Sequence, residues 1–133
     1  PAVVHIMAGT NDIAGNTGPM DPPATEANIA SMVDLARANG IQVVLSSVLP
    51  ATDFFWRPGL NPGPKIVALN EWLKSYSKSR HLIYVDYYKA VTDGALGIRS
   101  DLTPDGVHPS QAGYRVMEPL TRAAIRMALR RQQ

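Results

Sequence analysis

Apolar residues follow two rhythms along this chain. Residues 2–8 (AVVHIMA) are apolar at nearly every position, rich in β-branched side chains, and stop at Gly9. Such a run predicts a strand buried on both faces, as parallel sheets use. Residues 41–49 (IQVVLSSVL), closed by Pro50, and the shorter 82–85, followed by Asp86, repeat the pattern. Between these runs the spacing becomes helical. Residues 25–39 carry Ile29, Met32, Val33, Leu35 and Ala36 at helical intervals, with Gly40 as the stop signal. Residues 64–79 place Ile66, Leu69, Trp72, Leu73 and Tyr76 on one helical face. Residues 109–131 read as a last helix with Pro109 in its first turn, and Pro119 is expected to kink or split it. The Pro/Gly-rich stretches 14–23 and 51–64 read as loops, and 86–104 as irregular. Three strand–helix alternations predict a parallel α/β sheet, with connections long enough for right-handed crossovers.

Length and charge narrow this further. A chain of 133 residues is one domain at most, with an ordinary soluble composition of 45% hydrophobic and 18% charged residues. A net charge of +2 gives no footing for a nucleic-acid partner. Arg122, Arg126, Arg130 and Arg131 cluster near the C-terminus and read as a solvated helical face. The absence of cysteine removes disulfides, thiolate nucleophiles and zinc–thiolate sites together. It leaves the compartment open, a secreted or periplasmic bacterial location being one option. No apolar run reaches the length of a membrane span.

Open α/β sheets bind ligands at the carboxyl ends of their strands. Gly9-Thr10-Asn11-Asp12 follows the first strand, while Ser46, Ser47 and an aromatic loop follow the second. Asp105-Gly106-Val107-His108 stands before the last helix. In Asp-x-x-His the carboxylate can fix the imidazole tautomer so that the histidine serves as general base. An asparagine amide such as Asn11 offers a preorganised donor to a developing oxyanion. Plainer readings stand beside these: Asp105 as a turn residue, and Asn11 with Asp12 as a turn closed by side-chain hydrogen bonds. His5 reads as a core histidine, His81 as exposed, Trp72 and Tyr76 as core, and Asp86 as a cap. Phe54, Phe55 and Trp56 either line an acyl or sugar pocket or form a lid over the core. Asp12, Asp105 and His108 lack any specific metal-ligand spacing.

MAGTND after a buried strand, VVLSSVLP next, and DGVHPSQAGY opening the last helix together resemble the SGNH (GDSL-type) serine hydrolases. The resemblance covers essentially the whole chain. It implies a flavodoxin-like parallel sheet flanked by helices, three strands being present here and the family's first two strands missing. Residues 1–133 would then be the C-terminal part of a single hydrolase domain. It further implies Asn11 as oxyanion donor, Asp105 and His108 as acid and base, and no cofactor or metal. Gly9, Thr10, Phe54, Phe55 and Trp56 would contact substrate. The family's nucleophilic serine lies in a Gly-Asp-Ser-type motif that these residues do not contain. Of eight serines, only Ser46 and Ser47 approach the end of a strand, and they read as packed.

The expectation is therefore a serine esterase hydrolysing small acyl esters, acetylated carbohydrate among them, through an acyl-enzyme. Its alternative is a catalytically incomplete fragment or a non-catalytic binding module of the same fold. The apolar first strand is expected to be covered by a missing N-terminal segment or by a second copy.

Overall fold

The computed structural model describes residues 1–19 and 21–131. Three strands, β1 (Val3–Ile6), β2 (Gln42–Ser46) and β3 (Ile83–Val85), form one sheet in the order β1-β2-β3. Both pairings are parallel, with His5 opposite Val44 and Leu45 opposite Tyr84. Helix α2 (Pro22–Ala38) joins β1 to β2, and α3 (Gly63–Ser79) joins β2 to β3. Three parallel neighbours in chain order match the 3-4-5 run of the flavodoxin-like order 2-1-3-4-5.

Alternation along β2 builds a core on each face of the sheet. Val43 and Leu45 pack with Ile29, Val33, Ile66, Leu69 and Leu73 from α2 and α3. Val44 turns the other way and packs with Ile83, Val85, Met117, Ala124 and Ala128. The last three belong to α5 (Gln111–Arg130), the single long helix on that side. Small residues let α5 approach closely: a Cβ on Gly113 would meet the Leu102 carbonyl oxygen at 2.5 Å.

Four expectations change on contact with the structure. First, β1 is shorter than residues 2–8, and Val3, Val4 and His5 are only half-buried, because one of its edges has no neighbour among the described residues. Second, Pro119 does not split α5, whose helix runs through it; the proline is exposed, so the carbonyl it leaves unpaired can turn to water. Third, residues 10–14 and 87–91 hold five-residue helices, α1 (Thr10–Ala14) and α4 (Tyr87–Val91), too short to show a period. Fourth, Pro22 and Pro23 fall inside α2 rather than in the preceding loop: Asp21 caps it by accepting from Ala24 N at 2.8 Å. Met20, in that loop, lies outside the described residues.

Asp86 caps α4 through Lys89 N at 2.9 Å. At the exit of β2, Asn70 of α3 clasps Val48 with both ends of its amide. Its Oδ1 accepts from Val48 N at 2.7 Å and its Nδ2 donates to Val48 O at 3.0 Å, as a neighbouring strand would.

Candidate active site

A cavity of about 350 Å³ opens at the carboxyl ends of the strands. Three stretches of chain line it: Met7 to Asp12; Val48, Leu49 and Ala51; and Val107, His108, Pro109 and Tyr114. Gly9, Thr10, Asn11 and His108, all singled out in the sequence, therefore meet at one opening.

The acid–imidazole pair is built by a local turn. Asp105 Oδ1 accepts from Val107 N at 2.9 Å and from His108 N at 2.8 Å. Gly106, at φ 81°, makes the reversal that brings both amides onto one oxygen. Thr103 Oγ1 braces the turn by donating to His108 O at 2.7 Å and accepting from Gly106 N at 2.9 Å. Asp105 Oδ2 is left for His108 Nδ1, 2.7 Å away. Hydrogen bonds from the His108 backbone, then its ring, then Val107 hold the Asp105 carboxyl well below the usual carboxylate range. An ionised carboxylate only accepts, so the neutral His108 ring carries its proton on Nδ1 and keeps the Nε2 lone pair to receive another. The His108 side chain is 63% exposed, open to an incoming group.

Lining the same cavity, α1 begins shortly after β1 with Gly9 at its N-cap. Gly9 has φ 126°, and a Cβ there would lie 2.5 Å from Leu69 Cδ2 and 3.1 Å from Val48 Cγ2. Only glycine fits, and the close approach seats the first turn of α1 on the core. Asn11 is exposed, and its Oδ1 accepts from Asn16 Nδ2 at 2.9 Å. Its own Nδ2 has no protein acceptor among the described residues, leaving a side-chain donor at the opening.

The aromatic loop divides. Phe54 is fully buried in the α2/α3 core, which removes it as a substrate contact. Phe55 is 65% exposed and does not line the cavity. Trp56 stacks on Phe54 with ring centroids 4.9 Å apart, lies 6.2 Å from the His108 ring, and donates Nε1–H to Asn16 Oδ1 at 3.0 Å. Trp56 thus stands beside His108 without lining the cavity. Sequence reasoning missed Met7, Tyr114 and Asn16; only Asn16, five residues past Asn11 in a glycine-bounded turn, left a trace.

Ser46 and Ser47 are buried. Ser47 Oγ accepts from Tyr88 N at 2.8 Å, and Ser46 Oγ points to Ile6 O at 3.4 Å. No serine among the described residues lines the cavity. Asp12, Asp105 and His108 do not gather as metal ligands would, and no group of three such residues does so among the described residues. No helix there is long and apolar enough to cross a membrane.

The profile of the GDSL-like Lipase/Acylhydrolase family matches residues 1–116. A GDSL-like lipase from Bacteroides thetaiotaomicron is 46% identical, with a TM-score of 0.92 over 97% of this chain and 64% of that one. A suggested acylhydrolase from Bacteroides fragilis is also 46% identical, with a TM-score of 0.94 over 97% and 63%. This chain thus spans just under two thirds of either. A catalytic mutant of an acetylxylan esterase from Geobacillus stearothermophilus shares the fold at 19% identity, TM-score 0.72, over 94% and 59%. No curated protein sequence matches.

Proposed function

Since this chain belongs to the GDSL-like lipase/acylhydrolase family, we propose that it supplies the base, the acid and one oxyanion donor of a serine esterase. The observation carrying this reading is the 2.7 Å contact between His108 Nδ1 and Asp105 Oδ2, with His108 and Asn11 lining the same cavity. A bare turn has no need of an exposed imidazole whose tautomer is fixed by a carboxylate.

The nucleophile would be a serine outside the described residues, since none here reaches the cavity. His108 Nε2 takes the serine hydroxyl proton as the serine oxygen attacks the ester carbonyl. Asn11 Nδ2 donates to the oxyanion of the tetrahedral intermediate, an effect worth roughly two to three powers of ten in rate. Collapse expels the alcohol, which leaves with the proton from His108. Water, deprotonated by His108, then releases the acid and restores the serine. Asp105 stays ionised throughout and balances the imidazolium. We propose acetyl and other short acyl esters as the substrate class, with acetylated carbohydrate as one alcohol class; the cavity of about 350 Å³ has room for such groups.

The lack of a cavity serine also favours a rival, a non-catalytic carbohydrate-binding unit of the same fold. An intact-mass spectrum of the full gene product before and after a fluorophosphonate separates them. The esterase reading expects one adduct on a serine outside these residues, with labelling slowed by His108→Ala. No adduct on the full product sinks it, and an adduct on Ser46 or Ser47 overturns the assignment of the nucleophile.

A further inference from the structure

We infer that Trp56 and Asn16 are positioning residues that fix which end of the Asn11 amide faces the reaction. The inference rests on Asn11 being the oxyanion donor. An asparagine amide has a donor end and an acceptor end of almost the same shape, and a half-turn about its last bond exchanges them. Turned the wrong way, Asn11 would present a lone pair to a developing negative charge. Something must therefore choose.

The choice traces back to an indole. Trp56 Nε1–H can only donate, and it donates to Asn16 at 3.0 Å, so the Asn16 atom there is Oδ1. Its other end, Nδ2, must then be the atom 2.9 Å from Asn11. An Nδ2 group donates, so the Asn11 atom it meets is Oδ1, and Asn11 Nδ2 is the end left for a ligand. One unambiguous donor thus sets two ambiguous amides in turn. The backbone repeats the link, with Asn16 N donating to Asn11 O at 3.0 Å.

The indole is itself held. It stacks at an interplanar angle of 12° on Phe54, which is fully buried. Asp53 Oδ1 accepts from Phe54 N at 2.9 Å and from Gly59 N at 3.2 Å, tying both ends of the loop together. The neighbouring Arg57 donates from Nη1 to the Ala14 carbonyl at the last turn of α1. The loop therefore holds the last residue of α1 and the turn that follows it, the second contact, at Asn16, leading to the Asn11 amide.

The test is a double-mutant cycle in the full gene product with a short-chain aryl ester. Asn11→Ala should lower kcat by about 100-fold or more, as loss of one oxyanion donor does. Asn16→Ala and Trp56→Phe should each lower kcat about 10-fold with KM within about twofold, as befits an interaction made in the transition state. Asn11→Ala/Asn16→Ala should be no slower than Asn11→Ala alone, because Asn16 acts through Asn11. Additive losses, or wild-type kcat in Asn16→Ala, overturn the relay.

A second readout needs no turnover. Residual dipolar couplings of the Asn11 Nδ2–H bonds in the full gene product should report one fixed orientation, averaged in Asn16→Ala. Averaging in the unsubstituted full product also overturns the inference. Unchanged kcat in Asn11→Ala would instead sink the esterase role of Asn11, and the couplings would still decide whether the relay sets its amide.

Discussion

Asp105 reaches His108 through bonds that never span more than three residues, and it carries two predictions. Asp105→Asn keeps an oxygen for the two backbone amides but can offer an N–H to His108 Nδ1. The ring proton then moves to Nε2 and the base is lost. Turnover of the full product should fall by roughly 10⁴, and nitrogen NMR of this chain should show the proton changing places. The second prediction concerns acid. The turn holds Asp105 well below its ordinary 3.8, so the unfolded chain takes the proton first as pH falls. Its contribution is complete above about pH 3.8 and drains away as pH drops toward the folded value. His5 acts in a higher window. Burial lowers it from 6.5, so stability starts to fall below pH 6.5 and goes on falling until the folded His5 is protonated too. Urea midpoints against pH should show both phases. His5→Phe, which preserves the edge-to-face contact with Tyr87 (centroids 5.8 Å apart), should erase the higher-pH phase and leave that of Asp105 in place.

Residue-scale legibility follows from that distance along the chain. Asp-x-x-His could be read because its hydrogen bonds are local. The different fates of Phe54, Phe55 and Trp56 could not be read, because a buried cluster and a partner forty residues away decide them. Gly9 stood visibly at a strand end, yet its need for glycine comes from Leu69, on another helix. Gly9→Ala should cost roughly 2–4 kcal/mol, strain at positive φ adding to overpacking. Thermal denaturation measures it, and an unchanged midpoint would show that Leu69 moves aside freely.

At the scale of elements, periodicity found β2, α2, α3 and α5 because each buries a continuous face. It failed for α1 and α4, whose five residues complete too few turns, and it overextended β1, where apolar composition outran actual pairing. The Asn70 clasp lay beyond any pattern: one polar residue on an otherwise ordinary helix does the work of a strand edge. Asn70→Ala leaves the N–H and C=O of buried Val48 without partners and should cost about 1–3 kcal/mol. Because Val48 lines the cavity, binding of a short ester should weaken in the same variant. A stability loss with unaltered binding would show that the clasp serves the fold alone.

For the whole molecule, the unequal burial of the strands sets the order of opening. β2 is buried along nearly its whole length between two cores, whereas β1 is half-buried with one side unpaired among the described residues. Amide exchange should therefore be faster in β1 than in β2. We propose that the free side of β1 takes up another strand, from the rest of a longer chain or from a second copy. Sedimentation of this chain should then show concentration-dependent association, and a monomer at all concentrations would count against it. The three parallel strands were legible in the alternation of strands and helices, and the helices flanking the sheet were implied by the family resemblance. What covers β1 was not, since a single sequence holds no trace of its neighbour.

The seating of Phe54 has a further consequence, for anyone wishing to retarget the protein by exchanging surface segments. Residues 51–62 look like a removable part: rich in proline and glycine, beside the opening, and carrying aromatic side chains. Yet Phe54 belongs to the interior, Trp56 leans on it, and Arg57 reaches back to α1. A transplanted segment would have to bring its own plug for the hole Phe54 leaves, at the same offset from the indole. Free variation is confined to Phe55 and the outer rim, so the place to begin a library is one exposed ring rather than the whole loop.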